Sequence, residues 1–195
     1  NAALEAGRSE LCAWSAGCGC GEEPYSLALL WRFDVAERLP GISLGILGTD
    51  IDARLLERAR ESTYPGGCLK ELPRDWLAAA FEKTDGAFRL KESYGRQVSF
   101  REHDIRDGPP NGPFDLILCR NLAFTYFDRN WQLEVADRLR DAMVESGALV
   151  LGRGETLPAQ AAGFTAWSAE HGVHRRIAAR GGGFFPGDDG FRGAS

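Results

Sequence analysis

The residues best placed to do chemistry lie in Ser15-Ala16-Gly17-Cys18-Gly19-Cys20-Gly21-Glu22-Glu23-Pro24-Tyr25-Ser26, where glycines alternate with thiols and then give way to two acids. The stretch follows a strand-like run, Leu11 to Ala16, and opens a helical pattern, so it reads as strand, glycine turn, helix. Such a turn brings bare backbone close to a small molecule, because glycine has no Cβ and tolerates left-handed φ values. The Gly-x-Gly-x-Gly spacing departs from the Gly-x-Gly-x-x-Gly of nicotinamide dinucleotide folds. Glu22 stands where a third glycine would be needed for close helix–strand packing. An acid, Asp50, ends the next strand-like run. Together the turn and the acid point to S-adenosylmethionine (SAM) as ligand and methyl transfer as chemistry.

Other chemistries find little material. Cys18-x-Cys20 is tighter than the Cys-x-x-Cys of zinc sites, and the three histidines all fall in the C-terminal half, so no metal centre is expected. His103, His171 and His174 have no partner at catalytic spacing. The cysteines number five (Cys12, Cys18, Cys20, Cys68, Cys119), an odd count that implies reduced thiols and a cytoplasmic setting. A formal net charge of −5 provides no field that favours nucleic acid. No apolar run reaches the roughly 18–20 residues that span a membrane. Residues 1–10 have neither the basic start nor the apolar core of a secretory signal.

The elements that must position these residues alternate along the chain. Strands are expected at Leu11–Ala16, Ser43–Thr49, Gln97–His103, Phe114–Arg120 and Ala148–Leu151, with a hairpin-like ending at Phe164–Ser168 and Gly172–Ile177. Helices are expected at Pro24–Glu37, with Leu27, Leu30, Trp31 and Val35 on one face, and after the capping Asp52, with Leu55, Leu56 and Ala59 inward. A third runs from Arg129 to Glu145, with Leu133, Ala136, Leu139 and Met143 at helical spacing, and Ser146-Gly147 ends it. This alternation predicts a Rossmann-like α/β three-layer sandwich, mainly parallel, with a C-terminal antiparallel strand. One domain is expected over residues 11–178. Residues 62–96 break the alternation with a Tyr64-Pro65-Gly66-Gly67 turn, a short helix (Pro73–Lys83) and a strand (Ala87–Lys91), and read as a small inserted subdomain. The glycine-rich residues 179–195 read as a disordered tail. In such sheets ligands bind beyond the carboxyl ends of the strands, where chain order reverses. The glycine turn, Asp50, Asp104 and Arg120-Asn121 all fall at strand ends.

Several of these segments resemble the SAM-binding domain of CheR-type chemotaxis receptor methyltransferases. They are Trp14-Ser15-Ala16-Gly17-Cys18 with Gly21-Glu22-Glu23-Pro24-Tyr25-Ser26-Leu27-Ala28, Thr49-Asp50-Ile51-Asp52, Tyr64, Pro113-Phe114-Asp115, Cys119-Arg120-Asn121 and Tyr126-Phe127-Asp128. Gly152-Arg153-Gly154-Glu155-Thr156-Leu157 is similar to the family's Gly-His-Ser-Glu-Ser-Leu. The resemblance runs from about Leu11 to Arg176, and it implies methyl transfer from SAM to a receptor glutamate, with S-adenosylhomocysteine (SAH) as product. It implies cofactor contacts from the turn (Ala16, Gly17, Gly19, Gly21), from Glu23, from Asp50 on the ribose with Ile51 beside it, and from Asp104 and Ile105 around adenine. Cys119, Arg120 and Asn121 would line the methionine side. Tyr126, with Arg120 and Asn121, would stand at the transferring methyl.

Three departures accompany the resemblance. Set against the resemblance, the helical N-terminal domain of family members is not expected within these residues. Four residues, Leu-Ala-Phe-Thr, separate Asn121 from Tyr126 where the family has three, which displaces Tyr126. Arg153 replaces the family's histidine. The acceptor stays open at this point: a chemoreceptor-like protein carboxylate, a small molecule, or none, in a silent SAM- or SAH-binding module. A carboxylate acceptor is ionised at pH 7 and needs no general base; an amine or hydroxyl would need one.

Overall fold

The computed structural model describes residues 7–178. In chain order its elements are β1 (Glu10–Ala16), α1 (Glu22–Leu30), β2 (Ser43–Asp50), α2 (Ala53–Glu61), β3 (Thr63–Pro65), α3 (Arg74–Ala80), β4 (Phe81–Thr84), β5 (Ala87–Leu90), α4 (Glu92–Gly95) and β6 (Val98–Glu102). They continue with β7 (Phe114–Cys119), α5 (Ala123–Tyr126), α6 (Arg129–Asp141), β8 (Met143–Leu151), β9 (Phe164–Ser168) and β10 (Val173–Arg176).

Seven strands form one sheet in the order β6-β2-β1-β7-β8-β10-β9. The first five are parallel, and β10 runs antiparallel to both β8 and β9. The fold is the Rossmann-like α/β sandwich the alternation predicts. The chain moves outward from β1 to β2 and β6 on one side, then returns to β7 and β8 on the other. Order therefore reverses between β1 and β7, the place where an open α/β sheet leaves a crevice. Register aligns the strand ends there: Ala16 lies opposite both Thr49 and Cys119, and Cys119 opposite Leu151.

The main core sits between the sheet and α6. Trp14, Ile117, Cys119, Val135, Leu139, Met143 and Leu149 are almost wholly buried there. The Trp14 indole donates to the Thr49 hydroxyl at 2.8 Å, so the polar edge of the ring is satisfied inside the core. Residues 62–96 hold a second sheet, β3-β5-β4, antiparallel throughout. Its Tyr64, Phe81 and Leu90 share a core with Tyr25 and Leu29 of α1, with Phe100 of β6 packed against them.

Four expectations need correction. The helix expected to Glu145 stops at Asp141, and Met143 begins β8 instead. Ser146 takes a left-handed φ of 65° and the β7–β8 register slips between Phe114 and Leu116, so residues 144–147 form an irregularity inside a strand. The helix expected over Pro24–Glu37 is α-helical only to Leu30, then passes into a π-turn (Trp31–Val35) and a 3-10 turn (Ala36–Arg38). Its buried residues are Pro24, Tyr25, Ala28 and Leu29, whereas Leu30 is exposed, because α1 packs against two cores at once. The helix expected over Pro73–Lys83 ends at Ala80, where Phe81 turns into β4 to pair with Leu90. The expected tail, residues 179–195, lies outside the described residues.

Candidate functional site

The glycine turn is built by backbone hydrogen bonds. Cys18 N–H donates to the Thr49 carbonyl (2.9 Å) and Gly21 N–H to the Cys18 carbonyl (3.0 Å), tying the turn to the end of β2. Gly21 caps α1 with φ 87°, and a Cβ there would stand 2.9 Å from Ala59 Cβ and 3.0 Å from the Phe100 ring. Only glycine satisfies both the left-handed backbone and the close approach of α2. The Tyr64 hydroxyl, in the small sheet, donates to the Cys20 carbonyl at 2.9 Å, so residues 62–96 brace the turn directly. Burial pushes the Cys18 thiol up to about 12, which leaves it a small packing group.

Asp50 crosses from the end of β2 to this turn. One carboxylate oxygen accepts from Gly19 N–H (2.9 Å) and the other from Asp52 N–H (3.0 Å). Each oxygen keeps lone-pair capacity for a further donor. Beside it opens a cleft of about 260 Å³, lined by Gly17, Asp50, Ile51, Asp104, Ile105 and others, with Leu122 and Phe127 opposite. Asp104 is held by Arg106, whose Nε lies 2.9–3.0 Å from both carboxylate oxygens, and this hydrogen bonding holds its carboxyl below the usual carboxylate range. His103 also lines the cleft, but its Nε2 is engaged with the Gly108 carbonyl at 2.6 Å.

On the other side of β1 the charges pair differently. Glu23 accepts from the Ser15 hydroxyl (2.7 Å) and from Arg120 Nη1 (3.0 Å), bridging the start of α1 to the end of β7. The next residue, Asn121, has φ 52°, and its N–H donates to Glu155 (2.8 Å). The same Glu155 oxygen accepts from Gly152 N–H at 2.6 Å, and its second oxygen accepts from the Thr125 hydroxyl. One carboxylate thus clamps the turn after β7 to the loop after β8. Gly152 must be bare for this: a Cβ there would lie 2.5 Å from Glu155 Oε2 and 2.9 Å from Asn121 N.

Comparison with known proteins places this geometry. The family model for the SAM-binding domain of CheR methyltransferases matches residues 2–173. The chain belongs to the CheR methyltransferase family. A chemotaxis protein methyltransferase of Borreliella burgdorferi is 32% identical over 158 residues, covering 79% of this chain and 55% of that protein. One from Listeria innocua is 32% identical over 154 residues, covering 79% and 57%. An uncharacterized 104.1 kDa protein of Rhodobacter capsulatus is 31% identical over 171 residues, covering 87% of this chain but 18% of its own length. The chain spans about half the length of the chemotaxis methyltransferases it matches. Among solved structures, a SAM-dependent methyltransferase of Methanosarcina mazei aligns with a TM-score of 0.45 and 13% identity over 74% of this chain and 52% of that one, a distant likeness.

Within the CheR domain, the sequence-predicted residues divide. Gly17, Asp50, Ile51, Asp104 and Ile105 share the cleft. Gly19 meets it through Asp50, while Ala16 is buried and Gly21 supports the turn from α2's side. Glu23, Arg120 and Asn121 gather at the β1–β7 boundary. Two of them stand apart from the cleft. Cys119 is fully buried in the main core, and burial pushes its thiol up to about 12. Tyr126 is 74% exposed and lies outside the cleft lining, which Phe127 joins instead. Sequence reading missed Leu122, Phe127, Thr49, His103 and Arg106 as lining, and Glu155 as the clamp. Proximity in sequence to Asn121, Asp104 and Asp50 signalled four of them, Leu122, His103, Arg106 and Thr49; the partners of Glu155 are dispersed along the chain. Among the described residues, no group of three or more Cys, His, Asp or Glu is arranged to hold a metal, and no helix is long and apolar enough to cross a membrane.

The residues present fit SAM. The cleft approaches the lower end of the roughly 300–1,000 Å³ typical of ligand pockets, a size suited to the nucleoside part of the ligand. Ile51 and Ile105 offer apolar walls for a planar base, and Asp50 offers two oriented carboxylate oxygens for vicinal hydroxyls.

Proposed function

We propose that this domain binds SAM in the Asp50–Ile105 cleft and catalyses transfer of its methyl group to a carboxylate, the side chain of a glutamate on a chemoreceptor-like protein. The observation that carries the reading is the Asp50 carboxylate, fixed by two backbone amides over a largely apolar cleft at the end of β2, one strand from the β1–β7 reversal of order. When bound, SAM supplies a methyl group on a cationic sulfur; a carboxylate oxygen takes the methyl while the carbon–sulfur electron pair stays on sulfur, leaving an ester and SAH. A carboxylate is already ionised at neutral pH, so the protein's task is alignment and exclusion of water. The site is consistent with that division of labour. His103 has Nε2 committed to a carbonyl, Asp104 is paired with Arg106, and Glu23 with Arg120. Glu23 and Arg120 hold the β1 and β7 ends together where the methionine half would lie.

Methyl-labelled SAM, incubated with the protein and a bacterial lysate containing chemoreceptors, tests this. The expected result is label in protein that is released by mild base, the signature of esters. Base-stable label would replace the carboxylate reading with an amine acceptor. Saturable SAH binding with no transfer to any protein would favour the second reading, a SAM- or SAH-sensing module, to which the exposed position of Tyr126 outside the cleft gives specific support.

A further inference from the structure

A second cavity, of about 470 Å³, opens at the ends of β7 and β8, on the far side of the Glu23–Arg120 pair from the cofactor cleft. Its floor is apolar. Leu118 and Val150 alternate with the core residues Cys119 and Leu149, so they point away from α6 and form the floor, with the core residue Leu151 at its edge. Its rim carries Arg120, Arg153 and His171. Arg120 gives Nη1 to Glu23, and its remaining guanidinium donors are available to a second carboxylate. Arg153 is exposed and takes no ion-pair partner among the described residues. His171 shares a hydrogen bond between Nδ1 and the Ser168 hydroxyl (2.9 Å), which orients the ring on the turn before β10. One acid, Glu170, stands on the same rim.

We propose that this cavity is the acceptor site, and that Arg153 is its specificity-determining residue for a carboxylate. The inference rests on the SAM reading of the neighbouring cleft. Its own support is the juxtaposition of an aliphatic floor with two guanidinium groups, which suits a side chain of methylenes ending in a carboxylate. Arg120 belongs to both sites: through Glu23 it is tied to the start of α1, and across the cavity it faces Arg153's loop. A carboxylate gripped there sits beside the Arg120–Asn121 turn, the strand end toward which the methionine half of the cofactor would extend. Guanidinium is suited to this role because its planar fork offers paired donors to a carboxylate. Glu170 opposes an anionic guest, and its removal sharpens the test.

The experiment is an NMR titration of the SAH-loaded protein with N-acetyl-glutamate amide, compared with the isosteric N-acetyl-glutamine amide. The expected result is saturable shifts at Leu118, Val150 and Arg153 for the glutamate probe and at least about fivefold weaker binding of the glutamine probe. Arg153→Ala weakens the glutamate probe about fivefold, the scale of one partly exposed ion pair, while SAH affinity stays unchanged. Glu170→Gln tightens the glutamate probe. Equal binding of the two probes, no binding of either, shifts confined to other surfaces, or an indifferent Arg153→Ala would each overturn the assignment. Failure of SAH itself to bind would be seen first, in the absence of probe, and would overturn the cofactor reading separately.

Discussion

The two sides of the β1–β7 boundary are made differently. On the cofactor side, Asp50, Gly19, Cys18 and Asp52 are joined by backbone amides and carbonyls at 2.9–3.0 Å, and the cleft walls come from the ends of β2 and β6. On the acceptor side the polar groups are long side chains on a rim, Arg120 at 43% side-chain exposure and Arg153 exposed, above a floor of half-buried aliphatics. Backbone groups hold a ligand of constant shape with little entropy to lose. Long side chains adapt to a guest at the cost of ordering them. On the proposed reading, a domain that binds one cofactor and presents it to a protein surface gains from this division. The Glu23–Arg120 pair joins the two, and the Glu155 clamp fixes the turn carrying Asn121 to the loop carrying Arg153 on the β7–β8 side.

The comparison breaks most severely at Asp50. Asp50→Ala removes both carboxylate oxygens, and with about 1.5–3 kcal/mol for a hydrogen bond to a charged group, SAH affinity should fall by about a hundredfold in calorimetry. A fall of less than about threefold would show that the cofactor lies elsewhere. The clamp comes next. Gly152→Ala places a methyl among Glu155 and Asn121, and overpacking of this kind costs about 1–3 kcal/mol. The melting temperature should drop by roughly 2–4 °C for each kcal/mol. An unchanged melting temperature would mean that the loop after β8 yields freely and does not hold the turn after β7.

Two smaller effects are pH-dependent. Arg106 holds the folded Asp104 carboxyl below its unfolded value. The stability this contributes is fully present above the ordinary carboxylate pKa of about 4 and is lost as pH falls through the lower folded value. Asp104→Asn should flatten the urea-midpoint profile in that acid window and leave pH 7 to 5 unchanged. Desolvation lowers the pKa of His174 on β10, so the folded state resists its protonation. Stability tied to this residue is present above about pH 6.5 and declines as pH falls through the window below it. His174→Gln should remove that slope. An identical slope in the variant would assign it to another group.

Much of the cofactor side was legible in the sequence because its signals are local. The glycine turn, and separately Asp50 with the capping Asp52, are short runs whose residue types dictate backbone geometry. The acceptor side was less legible. Met143 follows Leu139 at helical spacing, so the helix pattern continued past the point where α6 ends, and pairing with Phe114 drew Met143 into β8. The buried face of α1 was misread because Tyr25 and Leu29 serve the small sheet's core while Ala28 serves the main sheet's, which erases a single apolar stripe. Glu155 belongs to an element that resembles the family's, but its role as a clamp is visible only where Asn121 and Gly152 converge on it. Tyr126 is exposed while its neighbour Phe127 lines the cleft, a placement that the motif alone does not specify.

The most direct measurement is a crystal structure of the SAH complex. The account predicts the two ribose hydroxyls within hydrogen-bonding distance of the two Asp50 oxygens, at about 2.5–3.0 Å, with adenine between Ile51 and Ile105 and sulfur toward the Arg120–Asn121 turn. A complex in which SAH leaves Asp50 untouched, or in which its sulfur points away from that turn, would contradict it.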